Sequence, residues 1–358
     1  MAYVTTTIVA FVVAVALILA LRPIAATVGL VDRPGERKSH TGEIPVIGGL
    51  AMFGGLLVAM AAGGRLGHNG QVVLVAAAMM VVVGAVDDRF EIHPLARLVT
   101  HLLAATALAS GTGFVVGDLG DLLGAGEVRL GPLALPFTVV ACIALINGFN
   151  MLDGLDGLAG GAALAAFLGL ALIASGADAP GSLLISSGLA GALAGFLVFN
   201  LPANYNRRMR TFMGDAGSTL LGFVLACVSL ILVQPGKADL PPVIVLWLMP
   251  LPIFELFAST GRRLVLGTSP LRADRGHFHY CLLEAGFSVR LIFAGYFVLS
   301  IGSAIFAVMA YRAGIAEPVL FAGFILFFLT WLLLVRNSAS IARLLPLKLR
   351  RDLSNLQY

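Results

Sequence analysis

Only 19 of the 358 residues are Asp or Glu, and several of them stand beside apolar runs long enough to cross a bilayer. Ionisable groups at such depth are costly and usually functional. Asp87 and Asp88 close an unbroken apolar or Gly run from Val72 to Val86. Adjacent carboxylates repel, so keeping both at a membrane edge calls for a cation or an Arg partner; a polar helix stop is an equal alternative. Asn147, Asn150, Asp153 and Asp156 follow in NGFNMLDGLDG. At about 100° per residue, one continuous helix would point Asn147 and Asp156 to opposite sides. Gly154 and Gly157 instead read as a break that lets amides and carboxylates converge, an arrangement tolerated where it lines a cavity or is buried in protein. Asp215 stands in FMGDAGS, just after Arg207, Arg208 and Arg210. A Gly-rich approach to a helix offers amide N–H groups to a phosphate, and Asp215 could hold a divalent cation; an N-cap is the alternative.

Two basic segments add to this inventory. The first runs from Arg262 and Arg263 through Arg272, Asp274 and Arg275 to His277 and His279. His at i and i+2 do not share a helix face, and no Cys or Glu accompanies them at ligand spacing, which argues against zinc. Donors to a diphosphate are the better reading. The second, Asp32 to His40 with Lys38, guides a lipid phosphate or marks the inner leaflet, and the two weigh equally. Carboxylates, Arg and His gathered beside a membrane suit Mg2+ held by one or two carboxylates and substrate phosphates, with Mn2+ able to substitute.

The elements that must position these groups are membrane helices. The chain is 59% hydrophobic and 12% charged, against about 25% charged in soluble domains. About eleven stretches can cross a bilayer, near 4–24, 45–64, 71–86, 94–116, 136–152, 157–175, 183–201, 217–233, 242–262, 291–311 and 319–336. The fold class is therefore all-α: one polytopic membrane bundle over 1–336, with a basic tail over 337–358. The first stretch reads as a retained helix rather than a signal peptide. Cys142, Cys227 and Cys281 suggest no disulfide framework. The loops at 22–44, 87–97, 202–214 and 262–290, with the segment 336–358, hold 19 of the 23 Lys and Arg. An odd number of crossings then puts the N-terminus outside and the C-terminus in the cytoplasm. The net charge of +4 is a topology signal and suits anionic lipid head groups, not nucleic acid.

In order, LVDRPGERKSHTGEIPVIGG, VDDR, NGFNMLDGLDGLAGG, FMGDAGS and SPLRADRGHFHYCLLEAGFS cover residues 30–288. This series resembles the polyprenyl-phosphate N-acetylhexosamine-1-phosphate transferases of glycosyltransferase family 4. The final loop looks like the branch that starts O-antigen, common-antigen or teichoic-acid synthesis with N-acetylglucosamine 1-phosphate. The three successive His usual in the MurNAc-pentapeptide branch are missing. The resemblance implies a UDP-sugar donor, a polyprenyl phosphate acceptor such as undecaprenyl phosphate, and a place in the bacterial inner membrane. It implies Asp215 as the Mg2+ ligand, and Asp87 and Asp88 positioning or deprotonating the acceptor. It also implies Asn150, Asp153 and Asp156 around the nucleotide and metal, and His277 and His279 on the donor. Two departures stand out: Tyr280 replaces a further His, and Glu255 replaces Asp in a Pro-Ile-Phe-Asp stretch.

Asn147, Arg207, Arg208, Arg262, Arg263, Arg275, Lys38 and His40 join Asn150 as substrate-binding candidates, and the resemblance implies that Asp156 joins Asp215 at the metal. A homodimer is compatible with this reading. Other UDP-N-acetylhexosamines or UDP-MurNAc-pentapeptide are alternative donors. A secondary transporter has about as many helices, but its coupling residues sit near the midplane of repeat-related helices. Here the carboxylates gather at helix ends and no repeat is visible.

Overall fold

The carboxylate-bearing segments close two helices and open a third, at the same end of one bundle. The protein is described by a computed structural model over residues 2–33, 42–63, 67–177, 179–202, 209–269 and 276–337. Among these residues the first eight helices are α1 (Ala2–Ala25), α2 (Gly48–Gly63), α3 (His68–Phe90), α4 (Pro94–Thr112), α5 (Ala134–Leu152), α6 (Leu158–Ala174), α7 (Pro180–Asn200) and α8 (Gly214–Val233). They are followed by α9 (Pro242–Leu248), α10 (Pro250–Val265), α11 (Phe278–Glu284), α12 (Val289–Ala313) and α13 (Glu317–Arg336). A two-residue antiparallel ladder, β1 (Val31–Asp32) with β2 (Ile44–Pro45), pairs Val31 with Pro45 ahead of α2.

Each of the eleven expected stretches carries a helix, or in one case a bent pair. Length and apolarity alone qualify seven spans among the described residues: α1, α3, α5 with its leading turn, α7, α8, α12 and α13. The pair α9 and α10, bent by 88°, makes an eighth if taken as one span. The shortfall from eleven has physical causes. At 1.5 Å per residue, α2 and α6 reach only about 24–26 Å, and α4 carries Arg97 and His101 in its apolar run.

The bend follows from Pro250, which has no N–H to donate and disfavours helical backbone at the preceding residue. Met249 accordingly sits at φ −135°, ψ 49°. Phe254 on α10 meets Phe324 in a tilted contact and Phe327 edge-on, and Trp247 on α9 stacks on Phe327, which fastens α13 across the bent pair.

The bundle is organised around α8. Every residue from Ala216 to Leu232 is buried, the mark of a helix that is apolar on all sides and enclosed by others. α3 and α5 flank it most extensively, with α2, α6 and α7 completing the enclosure. α1 lies on α2 and α7, and α12 on α6 and α9.

Close approach between α5 and α10 depends on Gly148, where an added Cβ would stand 2.7 Å from the Pro252 carbonyl oxygen. Gly148→Ala is expected to destabilise the protein by about 1–3 kcal/mol, the usual cost of overpacking. Thermal unfolding in detergent checks this against Gly295→Ala, where an added Cβ meets nothing within 4 Å. Equal midpoints for the two variants would contradict the proposed packing.

Candidate active site

The carboxylates of Asp87, Asp88 and Asp215 are assembled where the C-terminal turn of α3 meets the N-terminus of α8. Asp88 accepts the Asp215 N–H at 2.7 Å on one oxygen and the Ala216 N–H at 3.1 Å on the other. It thus caps α8 from a different helix, satisfying amides that have no intrahelical partner. Those two amides are therefore not the open phosphate donors that the Gly-rich approach suggested. Gly214 makes the junction feasible: its φ of +71° is a left-handed conformation that favours glycine. The first turn of α2 braces it, with Gly48 and Gly49 N–H donating to the Phe212 and Met213 carbonyls.

Asp87, 5% exposed, accepts the Ile92 N–H at 2.8 Å. Its other oxygen accepts Arg97 Nη1 at 2.9 Å, and the same nitrogen reaches Asp215 at 3.3 Å. Arg97, on α4, is thus the cation shared by two carboxylates. Asn150 Nδ2 donates to the remaining Asp215 oxygen and, at 3.1 Å, to Ser218 Oγ. Arg97 and Ser218 escaped the sequence reading, although a charged residue inside an apolar helix was a usable signal for Arg97.

The expected break after α5 is present. The helix ends at Leu152, and Gly157 at φ +79° starts α6. The Gly157 N–H donates to Asn200 Oδ1 at 2.8 Å, while Asn200 Nδ2 donates to the Thr211 carbonyl at 2.9 Å. One amide side chain therefore ties the turn to the approach of α8. Asp156 pairs with Arg210 at 2.6 Å. The Asp153 carboxyl is pushed well above the usual range, by desolvation first and then by the charges of Asp215, Asp88 and Asp156. Asn147 donates back to the Ile143 carbonyl of its own helix at 2.9 Å.

A second buried cluster covers the turn. His277 and His279 both lie 3.4 Å from Glu255 through Nδ1, and the Tyr280 hydroxyl donates to the Gly154 carbonyl at 3.2 Å. Arg263 is buried on α10, and the Arg262 guanidinium lies against Gly276. Lys38, His40, Arg207, Arg208 and Arg275 lie outside the described residues.

The glycosyl transferase family 4 profile matches residues 71–233. Three similar proteins carry the name undecaprenyl-phosphate alpha-N-acetylglucosaminyl 1-phosphate transferase. That of Yersinia pestis is 33% identical over 345 residues, 95% of this chain and 93% of its own length. That of Pasteurella multocida is 34% identical, over 94% of each chain. That of Escherichia coli K12 is 32% identical, over 92% of this chain and 90% of its own. The chain belongs to glycosyl transferase family 4.

In this family 4 glycosyl transferase the matched segment runs from within α3 to the end of α8, and so contains Asp87, Asp88, Asn150, Asp153, Asp156 and Asp215. Among the described residues no group of three or more His, Cys, Asp or Glu is arranged to hold a metal ion. The donor set still suits a hard cation that keeps water and takes only one or two protein carboxylates. Asp87, Asp88, Asp153 and Asp215 offer oxygen alone, and repulsion from Asp215, Asp88 and Asp156 adds to burial in raising the Asp153 carboxyl.

Removing Arg97 leaves Asp87 and Asp215 without their shared cation. Arg97→Ala is expected to cost about 1–3 kcal/mol, discounted from a fully buried pair because the guanidinium is about one-third exposed. Turnover should fall at least about tenfold. Unfolding midpoints and initial rates check both, and unchanged values would remove Arg97 from the site.

Proposed function

We propose that this protein transfers N-acetylglucosamine 1-phosphate from UDP-N-acetylglucosamine to undecaprenyl phosphate. The products are undecaprenyl diphosphate-N-acetylglucosamine and UMP, and the reaction starts a cell-envelope polysaccharide. The observation that carries this reading is the match, over more than nine-tenths of both chains, to relatives named for that activity. The gathering of carboxylates at one end of a membrane bundle supports it, because a lipid phosphate and a water-soluble nucleotide sugar meet only at a bilayer surface.

In our reading Asp215 and Asp156 are the residues that hold Mg2+ or Mn2+, which supplies neutralisation of the donor diphosphate when bound. Asp87 and Asp88 set the site that receives the acceptor phosphate. A phosphomonoester is already mostly dianionic at neutral pH, so in-line positioning matters more than removal of a proton. Asn147, Asn150 and Asp153 border the nucleotide. His277, His279, Arg262, Arg263 and Arg275 face the donor diphosphate or sugar. Lys38, His40, Arg207 and Arg208 draw phosphate groups to the membrane surface. Eleven crossings, with the N-terminus outside, turn all these groups to the cytoplasmic face of a bacterial inner membrane. The clustering of Lys and Arg supports that orientation.

Purified protein given Mg2+, undecaprenyl phosphate and a panel of UDP-sugars should form lipid product with UDP-N-acetylglucosamine in preference to the others. Preference for a different UDP-sugar would replace the donor and keep the chemistry. Folded Asp215→Asn should lose turnover, and excess chelator should stop the wild-type reaction until Mg2+ or Mn2+ is restored. Near-normal turnover in either case would refute the metal assignment.

Orientation is tested by labelling Glu284→Cys, at the exposed end of α11, and Glu127→Cys, in an exposed loop. An impermeant thiol reagent applied from outside should reach position 127 and spare position 284. The reverse pattern would put the carboxylates on the wrong side for a cytoplasmic nucleotide sugar.

A further inference from the structure

Glu255, on α10, is 1% exposed, and four groups converge on its carboxylate. One oxygen accepts the Tyr296 hydroxyl at 2.9 Å and lies 3.4 Å from His279 Nδ1. The other accepts the Phe278 N–H at 3.3 Å and lies 3.4 Å from His277 Nδ1. His277 Nδ1 is also 2.9 Å from Ser259 Oγ. The two imidazoles are held parallel, 4° apart in plane with centroids 5.5 Å apart. Only an ionised carboxylate, which accepts on both oxygens and donates from neither, suits this ring of donors.

The far side of His279 points to the site. Since the carboxylate has no proton to give, Nδ1 of His279 carries the hydrogen, which leaves Nε2 as the other face of the ring. That atom is buried and has no hydrogen-bond partner among the described residues. It lies where a Cβ on Gly154 would fall, and such a Cβ would also stand 2.9 Å from the Tyr280 hydroxyl oxygen. Tyr280 closes the other side of Gly154 through its hydrogen bond to that carbonyl. Gly154 is the residue after Asp153 and lies two before Asp156.

We propose that Glu255 is a positioning residue for the transfer reaction: by fixing His279 through Nδ1 it presses the ring against Gly154 and sets where Asp153 and Asp156 stand. The relay runs from α10 through α11 to the turn between α5 and α6, and couples two clusters that are far apart in sequence. Gln at 255 has the right shape but would turn an NH2 toward at least one of the converging donors. The backbone N–H of Phe278 cannot rotate away. This inference rests on the transferase reading for its kinetic tests, but not for its spectroscopic one.

The first test needs no substrate. Histidine-selective 15N spectra of the wild-type protein, assigned with single His→Gln variants, should show His279 protonated at Nδ1 and bare at Nε2. A ring protonated only at Nε2 overturns the proposal. The second test is kinetic. Folded Glu255→Gln should lower kcat about 30-fold while KM for UDP-N-acetylglucosamine moves less than about threefold. Combined with His279→Gln, it should cost nothing beyond the larger single effect, since both changes interrupt one relay. Multiplication of the two losses, or a Glu255→Gln rate within about threefold of wild type, would overturn the proposal. If Glu255→Gln does not fold, Glu255→Asp takes its place: partial activity with His279 still protonated at Nδ1 supports the relay, and full activity with a changed tautomer ends it. A wild-type protein inactive on UDP-N-acetylglucosamine would refute the functional reading and leave the tautomer test standing.

Discussion

The site depends on one carboxylate that caps a neighbouring helix. Asp88, near the end of α3, takes the second and third amides of α8, at 2.7 and 3.1 Å, where the helix carries a partial positive charge. This contact brings together two segments 127 residues apart. It also sets the rotation of α8 about its axis, and so places the Asp215 side chain opposite Asp87, Arg97 and Asn150. Without that cap the amides would lie unsatisfied at a membrane edge, and the spacing of the remaining carboxylates would rest on Arg97 and Asn150.

Charge balance is the second constraint. Acidic side chains held this close at the rim of a bilayer need compensation, and two arginines supply part of it: Arg97 for Asp87 and Asp215, Arg210 for Asp156. Neither arginine comes from the helix that carries its partner, so each pair also ties separate elements together. The Asp153 carboxyl is raised by burial first and then by three neighbouring acids.

Much of this was legible in the sequence because the bilayer constrains it so strongly. Apolar runs located every long helix, and the pairing of Gly154 with Gly157 marked the break after α5. Asp87, Asp88, Asn150 and Asp215 stood out because acids and amides are rare in such surroundings. What escaped is what depends on pairing across the bundle. Arg97 looked like one more basic residue near a membrane surface, and nothing local marked Asn200 as the link between the turn and α8. Asp88 and Asp87 are adjacent and identical in type, and only packing shows that one caps a helix while the other holds a guanidinium. The eleven spans expected from the sequence exceed the seven or eight that length and hydropathy qualify among the described residues, because α2 and α6 are short.

The enclosure of α8 bears on how the protein is made. A segment this apolar is inserted as though it were to face lipid, yet in the finished bundle almost none of its surface does. The helices that surround it, α2, α3, α5, α6 and α7, all precede it in the chain. During synthesis they enter the membrane first and leave a slot that α8 fills on arrival. Ser218, Thr219 and Ser229, buried along it, make the lipid-exposed state less comfortable than the packed one. Docking of α8 is thus the step at which Asp215 reaches Asp88, so the chain acquires its reaction centre only after about two-thirds of it has been threaded into the bilayer.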